Sequence, residues 1–432
     1  MAIIKVNTDN KVRKMKPMHG VNEAPMWSGD NFGRNFHYLK EAGIPISRIH
    51  DVGGSFGGAH YADIPNIFPN FDADVNDPAS YDFAFTDRFI AEVVKADVEP
   101  YYRLGVTIEG NAGIRSYHLD PPKDYQKWAQ ICEHVIAHYI DGWANGFHYN
   151  IKYWEIWNEP DDGMREASQM WNGTKEDYYR LYEVTAKHLK RVFGDRIKVG
   201  GYGAISLRAG VAPEEFKDKP RGFYFLEFFR DFLKYNKEHN CPFDFFSWHA
   251  YNNTVMNIVA VAKFVRKELD EMGFTNTENH MNEWNIFHNE LGTALHSTGI
   301  ISVMMEMQKA PLDVMTFYQA SAGRGRYGGL FEKIWCTPIH GYYSFVAFNH
   351  LYQLGTEVET SCDTENVHVC AASDGEKGAL VIANMNDWAV SLDIQGVDLK
   401  NAKCHLIDQS RLLSWSPMLP ELDKKSVLMI EF

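Results

Sequence analysis

The stretch Lys152–Asp162 reads KYWEIWNEPDD and joins a run of aromatic and aliphatic residues to the polar sequence Asn158-Glu159-Pro160. Such a run predicts a buried parallel strand that ends in a loop carrying a carboxylate. Pro160 has no amide proton and a fixed φ, so the strand is expected to stop near Glu159. The carboxyl of Glu159 would then lie at the C-terminal end of a strand, where α/β barrels keep their chemistry.

A second stretch, His280–Asn285, reads HMNEWN and has the same design. Glu283 lies between two asparagines and beside Trp284, far beyond Glu159 in the chain. One helix or one hairpin cannot bring residues so distant together. The two carboxyl groups can therefore cooperate only if the fold joins the ends of two strands.

Strands alternate with helices over about 320 residues, which predicts parallel pairing with right-handed crossovers. The expected strands are His19–Glu23, 46–51, Glu99–Gly105, 152–159, Ile197–Gly203, Phe243–Tyr251, 280–285 and Val314–Ala320. Eight strands favour a closed (β/α)8 barrel, the TIM barrel of the α/β class, over an open sheet. After about Leu354 short strand-like runs separated by turn signals predict a small β-sandwich. The expected domains are a barrel at 15–354 and a sandwich at 355–432 that the N-terminal strand at 1–14 joins.

The composition excludes several classes of protein. The chain has 432 residues, 45% of them hydrophobic, and a formal net charge of −14, so we expect neither nucleic acid nor an anionic membrane as a partner. The start MAIIKVNTDN lacks the apolar core of a signal peptide, which predicts a cytoplasmic protein unless a leader was removed. A homo-oligomer stays open.

Metal and cofactor chemistry is not indicated by any motif. The six cysteines are scattered without metal-ligand spacing and are expected to be buried thiols. Eighteen histidines include no HExxH or similar cluster, and the glycines after residue 52 lack the context of a nucleotide loop. The sequence therefore predicts no metal and no cofactor.

Two carboxylic acids that face one another across a cleft are the minimal equipment for breaking a glycosidic bond. One protonates the departing oxygen, and the other attacks the anomeric carbon or activates water. The same pair could be structural, bonded to arginine and backbone amides beneath a loop. Because Glu stands beside Asn and Trp at both strand ends, the pattern favours the catalytic interpretation of Glu159 and Glu283.

WNEP at 157–160, preceded by Trp154 and Glu155, resembles the acid/base signature of clan A glycoside hydrolases, which are retaining barrel enzymes. The wider pattern is similar to glycoside hydrolase family 39, the family of β-xylosidases and α-L-iduronidases. The motifs that carry this similarity are GVNEAP, RIHD, KVGGYG, SWHAY and NEWN, on the first, second, fifth, sixth and seventh expected strands. The similarity covers nearly the whole chain and does not specify the substrate.

The resemblance implies a role for each matching residue. Glu159 matches the general acid/base of the family, and Glu283 matches its nucleophile. Asn158 matches the asparagine that binds the 2-hydroxyl of the sugar. The matches that border the site are the second-strand pair Arg48 and His50 and the sixth-strand pair His249 and Tyr251.

Structural roles stay open for most of these residues. Arg48 could form an ion pair inside the barrel, the two histidines could be satisfied core residues, and Tyr251 could simply pack. Aromatic side chains that could either stack on a pyranose ring or form a hydrophobic wall are Trp27, Trp157, Trp248, Trp284 and Tyr318. Arg324 and Arg326 could meet an acidic sugar or cap the mouth of the barrel.

The sequence thus predicts a retaining, exo-acting glycoside hydrolase, most similar to a β-xylosidase, with an oligosaccharide or glycoside as its partner. Its two carboxyl groups are expected about 5–5.5 Å apart. The same mechanism could serve an arabinosidase, a galactosidase, an iduronidase-like enzyme or an enzyme that releases a disaccharide. A catalytically inactive sugar-binding barrel is the alternative from another class.

Overall fold

The computed structural model describes residues 1–25, 35–52, 60–107, 118–162, 170–252, 254–322 and 327–432. The chain begins with strand β1 (Ala2–Lys14). Eight parallel strands then close a barrel in chain order: β2 (Gly20–Asn22), β3 (Ile46–Ile49), β4 (Glu99–Leu104), β5 (Tyr153–Ile156), β6 (Lys198–Ala204), β7 (Phe245–Asn252), β8 (Glu278–Ile286) and β9 (Val314–Phe317). This arrangement confirms the predicted TIM barrel.

Nine described α-helices surround the barrel, and the last of them follows its final strand, β9. Their bounds are α1 (His37–Glu41), α2 (Ile64–Ile67), α3 (Ala84–Lys95), α4 (Tyr125–Ile140), α5 (Lys175–Phe193), α6 (Pro220–Glu238), α7 (Val255–Glu271), α8 (Ala294–Lys309) and α9 (His340–Leu354). Asp124 accepts hydrogen bonds from backbone amides at the start of α4, and Thr174 forms a capping box with Asp177 at the start of α5. Within the described ranges, no helix is both long and apolar enough to span a membrane.

The C-terminal region forms a separate mixed sheet that resembles a sandwich, as the sequence predicts. Its strands are β10 (Thr356–Cys362), β11 (Val367–Ser373), β12 (Gly378–Asn384), β13 (Val390–Gln395), β14 (Lys403–Ile407), β15 (Leu412–Ser416), β16 (Glu421–Leu422) and β17 (Ser426–Glu431). With β1 they make a nine-stranded sheet in the order β15-β14-β17-β12-β11-β10-β1-β13-β16. Strand β1 pairs antiparallel with β10 and parallel with β13. The sheet has its own apolar core, separate from that of the barrel.

The interior of the barrel is layered. Its lower layer is largely apolar and aromatic and consists of Ile46, Tyr101, Tyr153, Phe245 and Val314. Because side chains alternate along a strand, the next inward positions lie one layer nearer the C-terminal ends. That layer is polar and fully buried, and it contains Arg48, Arg103, Glu155, Ser247, Asn282 and Thr316. The site therefore rests on a floor of hydrogen-bonded polar groups rather than on hydrocarbon.

All six cysteines are free thiols, and five of them are buried. The five buried thiols agree with the prediction. No disulfide bond therefore links the six cysteines.

One lysine connects the N-terminal segment to the barrel. The Nζ of Lys16 donates to the carbonyl oxygens of Met307 (2.8 Å), Ala310 (2.7 Å) and Leu312 (2.8 Å), at the C-terminal end of α8. The last carbonyls of a helix have no partner within it, and a cation there is favoured by the helix dipole. A single side chain thus caps α8 and fixes the segment that follows β1.

Lys16→Met should lower the free energy of unfolding by about 2–4 kcal/mol, because it leaves half-buried carbonyl groups without their donor. The measurement is urea unfolding followed by circular dichroism. Lys5→Met, at an exposed position of β1, is the matched control and should change stability by less than about 0.5 kcal/mol. Equal unfolding midpoints for the two variants would contradict this role of Lys16.

Candidate active site

The loop after β5 places Glu159 through an unusual backbone. Trp157 and Glu159 have φ values of 70° and 48°, in the left-handed region. Two hydrogen bonds hold this shape: the amide of Trp157 donates to the carbonyl of Leu104 (2.8 Å) and that of Glu159 to the carbonyl of Tyr202 (3.0 Å). The neighbouring strands β4 and β6 therefore aim the Glu159 side chain, since a continued strand would not adopt these angles.

Glu283 lies on β8 and is held by an arginine and a tyrosine. Its Oε2 accepts from Nη1 of Arg48 (3.2 Å), and its Oε1 accepts from the hydroxyl of Tyr251. A register shift between Trp248 and His249 sets His249 opposite Glu283 in the β7–β8 pair. The bulge thereby brings Glu283 and the side chains of the sixth barrel strand to one mouth.

The imidazole of His249 lies between the two carboxyl groups. Its Nδ1 is 2.8 Å from Oε1 of Glu159, and its Nε2 is 3.6 Å from Oε2 of Glu283. One ligand atom from each of these three residues lies within 4.8 Å of the others. A Cβ at Gly203 would come within 2.9 Å of Nε2 of His249 and 3.1 Å of Oδ1 of Asn158, so this position needs glycine. The fold thus brings the two distant glutamates together.

The floor of the site is a network around Arg48. Its Nε lies 2.8 Å from Oε2 of Glu155, and its Nη2 donates to Oδ1 of Asn158 (2.6 Å). The other oxygen of Glu155 accepts from Ser247 (2.6 Å) and Asn282 (2.7 Å). Sequence reasoning left Glu155, Ser247 and Asn282 without a role. Strand alternation could have found Glu155, because it is two residues beyond the inward-facing Tyr153.

The electrostatics of the site are dominated by burial. Burial raises the pKa of the Glu283 carboxyl, and the nearby charge of Glu159 also raises it, while His249, Arg48 and the Tyr251 hydroxyl oppose this shift. Burial lowers the pKa of His249 to about 4, so its imidazole is neutral at neutral pH. Burial also raises the pKa of Tyr251 well above its usual value, which keeps its proton on the phenol.

His50 and Tyr318 lie beside these residues and meet at Asp51. Nε of Arg103 donates to Nδ1 of His50 (3.0 Å), so the proton of a neutral His50 is on Nε2, 3.2 Å from Oδ1 of Asp51. Burial lowers the pKa of His50 well below its usual value. The hydroxyl of Tyr318 donates to Oδ2 of Asp51 (2.8 Å). Sequence reasoning quoted Asp51 within RIHD but gave it no role.

The tryptophans proposed as stacking platforms need correction. Trp157 is buried against Trp171 and donates to the carbonyl of Met170 (2.7 Å). Trp284 packs edge-on against Phe317, and Trp248 is fully buried as well. These rings lie in the barrel's outer core, so the hydrophobic-wall alternative describes them. Trp248 alternates with the inward Ser247, whereas strict alternation would turn Trp157 and Trp284 inward. The left-handed turn at Trp157 and the extra residue in β8 direct these two rings outward instead. Trp27, Arg324 and Arg326 lie outside the described residues.

Glu159, His249 and Glu283 form the one group in the described part of the chain that could hold a metal ion. A neutral imidazole and two carboxylates are suitable ligands for several divalent metals. Without an ion, Nδ1 of His249 pairs with Glu159 at 2.8 Å, whereas its buried Nε2 faces Glu283 at 3.6 Å, beyond hydrogen-bond distance.

Comparisons of sequence identify similar proteins. The β-xylosidase of Geobacillus stearothermophilus is 28% identical over 182 residues, which are 40% of this chain and 31% of that protein. The β-xylosidase of Caldicellulosiruptor saccharolyticus is 29% identical over 206 residues, 44% of this chain and 37% of that protein. The matched segments therefore span only about a third of the length of these relatives.

Solved structures share the whole fold. A glucosidase from Croceicoccus marinus superposes with a TM-score of 0.80 at 20% identity and covers 100% of this chain and 98% of its own. A monomeric β-xylosidase from Caulobacter crescentus CB15 gives a TM-score of 0.70 at 14% identity, with 99% of each chain covered. At these identities the likeness establishes the fold alone.

The sequence model of one protein family, Glycosyl hydrolases family 39, matches residues 60–289. This range includes Glu159 and Glu283 together with the strands that carry them, and it is more than half of the chain. The chain therefore belongs to glycosyl hydrolases family 39.

Proposed function

We propose that this chain is a retaining, exo-acting glycoside hydrolase of β-xylosidase type, with Glu283 as nucleophile and Glu159 as acid/base. The observation that carries the proposal is that a carboxylate oxygen of Glu159 lies within 4.8 Å of one of Glu283. Retaining enzymes need carboxyl groups about 5–5.5 Å apart, whereas inverting enzymes need about 6.5–9.5 Å to admit water. The choice of xylose rests on the β-xylosidases among the relatives.

In the first step, an oxygen of the ionised Glu283 attacks the anomeric carbon of the bound sugar. The bond from that carbon to the leaving oxygen breaks, and its electron pair stays on the oxygen. Glu159 transfers its proton to this oxygen, so the aglycone departs as a neutral alcohol. The products of the step are a glycosyl ester on Glu283 and an ionised Glu159.

In the second step, the ionised Glu159 takes a proton from a water molecule while the water oxygen attacks the anomeric carbon. The ester bond breaks, and its electron pair returns to Glu283. Each step inverts the anomeric centre, so the two together retain its configuration. The enzyme ends with the protons placed as they were at the start.

The contacts of the site support this assignment of protons. Arg48 and the Tyr251 hydroxyl both stabilise a negative charge on Glu283. Because His249 is neutral, its Nδ1 can accept a hydrogen bond from the protonated Glu159, and its Nε2 then carries a hydrogen that faces Glu283. This tautomer fits a protonated acid beside an ionised nucleophile.

Asn158 contributes to binding in this proposal. Its Oδ1 accepts from Arg48 at 2.6 Å, which fixes the orientation of the amide. The amide nitrogen is then the group available to the 2-hydroxyl of the sugar, the role that the family resemblance implies. A hydrogen bond there strengthens in the transition state of glycoside hydrolysis.

Glu283→Ala should lower kcat by at least about three orders of magnitude, because the nucleophile is lost. Glu159→Ala should slow natural glycosides far more than aryl glycosides with acidic leaving groups, which need little protonation. Steady-state kinetics on both substrate types measure these effects. The control is Glu290→Ala, an exposed position in the loop after β8, which should behave like the wild type. Near-normal activity of either site variant on a natural glycoside would refute the assignment.

A 2-deoxy-2-fluoro xyloside with a reactive aryl leaving group should label Glu283 covalently, because the fluorine slows both steps and the leaving group speeds only the formation of the ester. Mass spectrometry of the digested protein locates the label, and NMR of the first product shows its anomeric configuration. We expect one label, on the peptide containing 280–285, and a retained product. A label on another residue or an inverted first product would reject the double displacement.

Tyr251→Phe should move the acidic limb of the kcat/KM profile to higher pH by about one pH unit. The reason is that the phenol lowers the pKa of Glu283, so its removal leaves the pKa higher still, and the nucleophile is active only above that pKa. Tyr102→Phe is the matched control, since the hydroxyl of Tyr102 donates to Ala62 outside the site (2.9 Å). An unmoved acidic limb in Tyr251→Phe would exclude this role.

A further inference from the structure

Asp51 is a buried carboxyl group that the double displacement does not use. It follows His50 at the C-terminal end of β3, the second barrel strand. Two hydrogen-bond donors reach it from other parts of the mouth, Thr107 after β4 and Tyr318 after β9, and Nε2 of the neighbouring His50 lies 3.2 Å from its Oδ1. Loops after the second, third and eighth barrel strands thus hold this one carboxyl group in place.

The exposure of Asp51 matches that of the residues proposed to meet the sugar. Asp51 is 5% exposed, between His249 at 2% and Glu283 at 7%. We call this nearly buried group of residues around Glu283 the pit, and a low exposure is therefore normal for its members. Tyr318, which donates to Asp51, packs edge-on against Tyr251 with ring centroids 6.4 Å apart, and the Tyr251 hydroxyl donates to Glu283. Asp51 accordingly belongs to the same pit as the nucleophile.

The surroundings of Asp51 are uncharged donors. Nη2 of Arg103 donates to Asp63 (2.7 Å) and to the carbonyl of His50 (2.8 Å), and no described arginine or lysine forms an ion pair with Asp51. Burial raises the pKa of Asp51, and the bonds from Thr107 and Tyr318 oppose that rise. A carboxyl group kept here without a cation is costly, which indicates a use for its acceptor capacity.

A count of acceptor positions shows that this capacity is not exhausted. A carboxylate offers about four lone-pair positions. The described residues supply two hydrogen bonds, from Thr107 to Oδ1 and from Tyr318 to Oδ2, and Nε2 of His50 lies 3.2 Å from Oδ1. One position on Oδ2 is left for a hydrogen-bond donor, and the hydroxyl groups of a sugar are such donors.

We propose that Asp51 accepts a hydrogen bond from a glycone hydroxyl other than the 2-hydroxyl, and that its charge selects neutral sugars against uronic acids. This inference rests on the proposed function. An acceptor-only carboxylate attracts a hydroxyl and repels a second carboxylate, because the low dielectric of the pit strengthens both effects. A uronic acid would add its charge to a pit that already contains Asp51 and Glu283.

The test pairs enzyme variants with deoxy substrates. The probes are the aryl xyloside and its 2-, 3- and 4-deoxy analogues, and the variants are Asp51→Ala and Asp51→Asn. Asp51→Ala should lower kcat/KM on the parent by about 10- to 100-fold, the worth of a hydrogen bond to a charged group. On either the 3-deoxy or the 4-deoxy analogue, which lacks the bonded hydroxyl, this penalty should fall to less than about threefold.

The charge is tested separately with the aryl glucuronide and the aryl glucoside. Asp51→Asn keeps the shape and removes the charge, so it should raise the ratio of uronide to neutral-glycoside hydrolysis by about tenfold or more. Each ratio is measured on one preparation, and a loss of folded protein therefore cancels. Asp63→Asn is the control, because Asp63 is buried against Arg103 and should affect all substrates equally.

Each outcome decides between the two proposals. A penalty of Asp51→Ala that is the same on every analogue, or an unchanged uronide ratio in Asp51→Asn, would reduce Asp51 to a structural support and leave the proposed function standing. A wild-type chain that cleaves none of these glycosides would overturn the proposed function and, with it, the role of Asp51.

Discussion

The guanidinium of Arg48 is the contact on which the rest of the site depends. It donates hydrogen bonds to Glu155 below it, to Asn158 in the loop after β5 and to Glu283 on β8. A charge with no exposed surface would cost several kcal/mol if it were alone, roughly the desolvation penalty of one buried ion. The carboxyl groups around Arg48 offset that cost. Since one planar group joins the ends of β3, β5 and β8, a displacement of any of these strands would disturb both glutamates.

In the loop after β5, neighbouring strands hold Glu159 in a backbone conformation that its own φ and ψ preferences disfavour. The left-handed conformations of Trp157 and Glu159 each cost about 1–3 kcal/mol in isolation. Carbonyl groups of β4 and β6 hold them by hydrogen bonds to the backbone. Gly203 leaves the space that His249 and Asn158 need on the adjoining strand. The precision of the site therefore comes from the barrel wall as much as from the loop itself.

Burial and the hydrogen-bond donors around each carboxyl group set the pKa values of Glu283 and Asp51. Burial raises the pKa of both Glu283 and Asp51, and the hydroxyl groups of Tyr251 and Tyr318 oppose the rise. The imidazole of His249 stays neutral and faces both glutamates. Such surroundings suit an acid that must keep its proton beside a nucleophile that must lose it. The same surroundings suit a ligand with hydroxyl groups better than a negatively charged ligand.

Much of this protein could be predicted from its sequence, and the limits have a physical reason. The alternation of strands and helices determined the barrel, and Glu159 and Glu283 were found because each follows a recognisable strand. Glu155 was missed, since an inward polar residue looks like the polar half of an ordinary alternation. The sequence left open whether the tryptophans at 157 and 284 stack on a sugar or form a hydrophobic wall, and both rings are buried in the outer core.

The sequence by itself therefore determined the order of the elements and singled out the two proposed acids, because both follow from local pattern. Only the tertiary structure decided which side chains share the mouth and which face the helices. The reason is that the extra residue Asn282 in β8, the left-handed turns at Trp157 and Glu159, and the stagger of the barrel rotate side chains by amounts that a two-residue period does not encode.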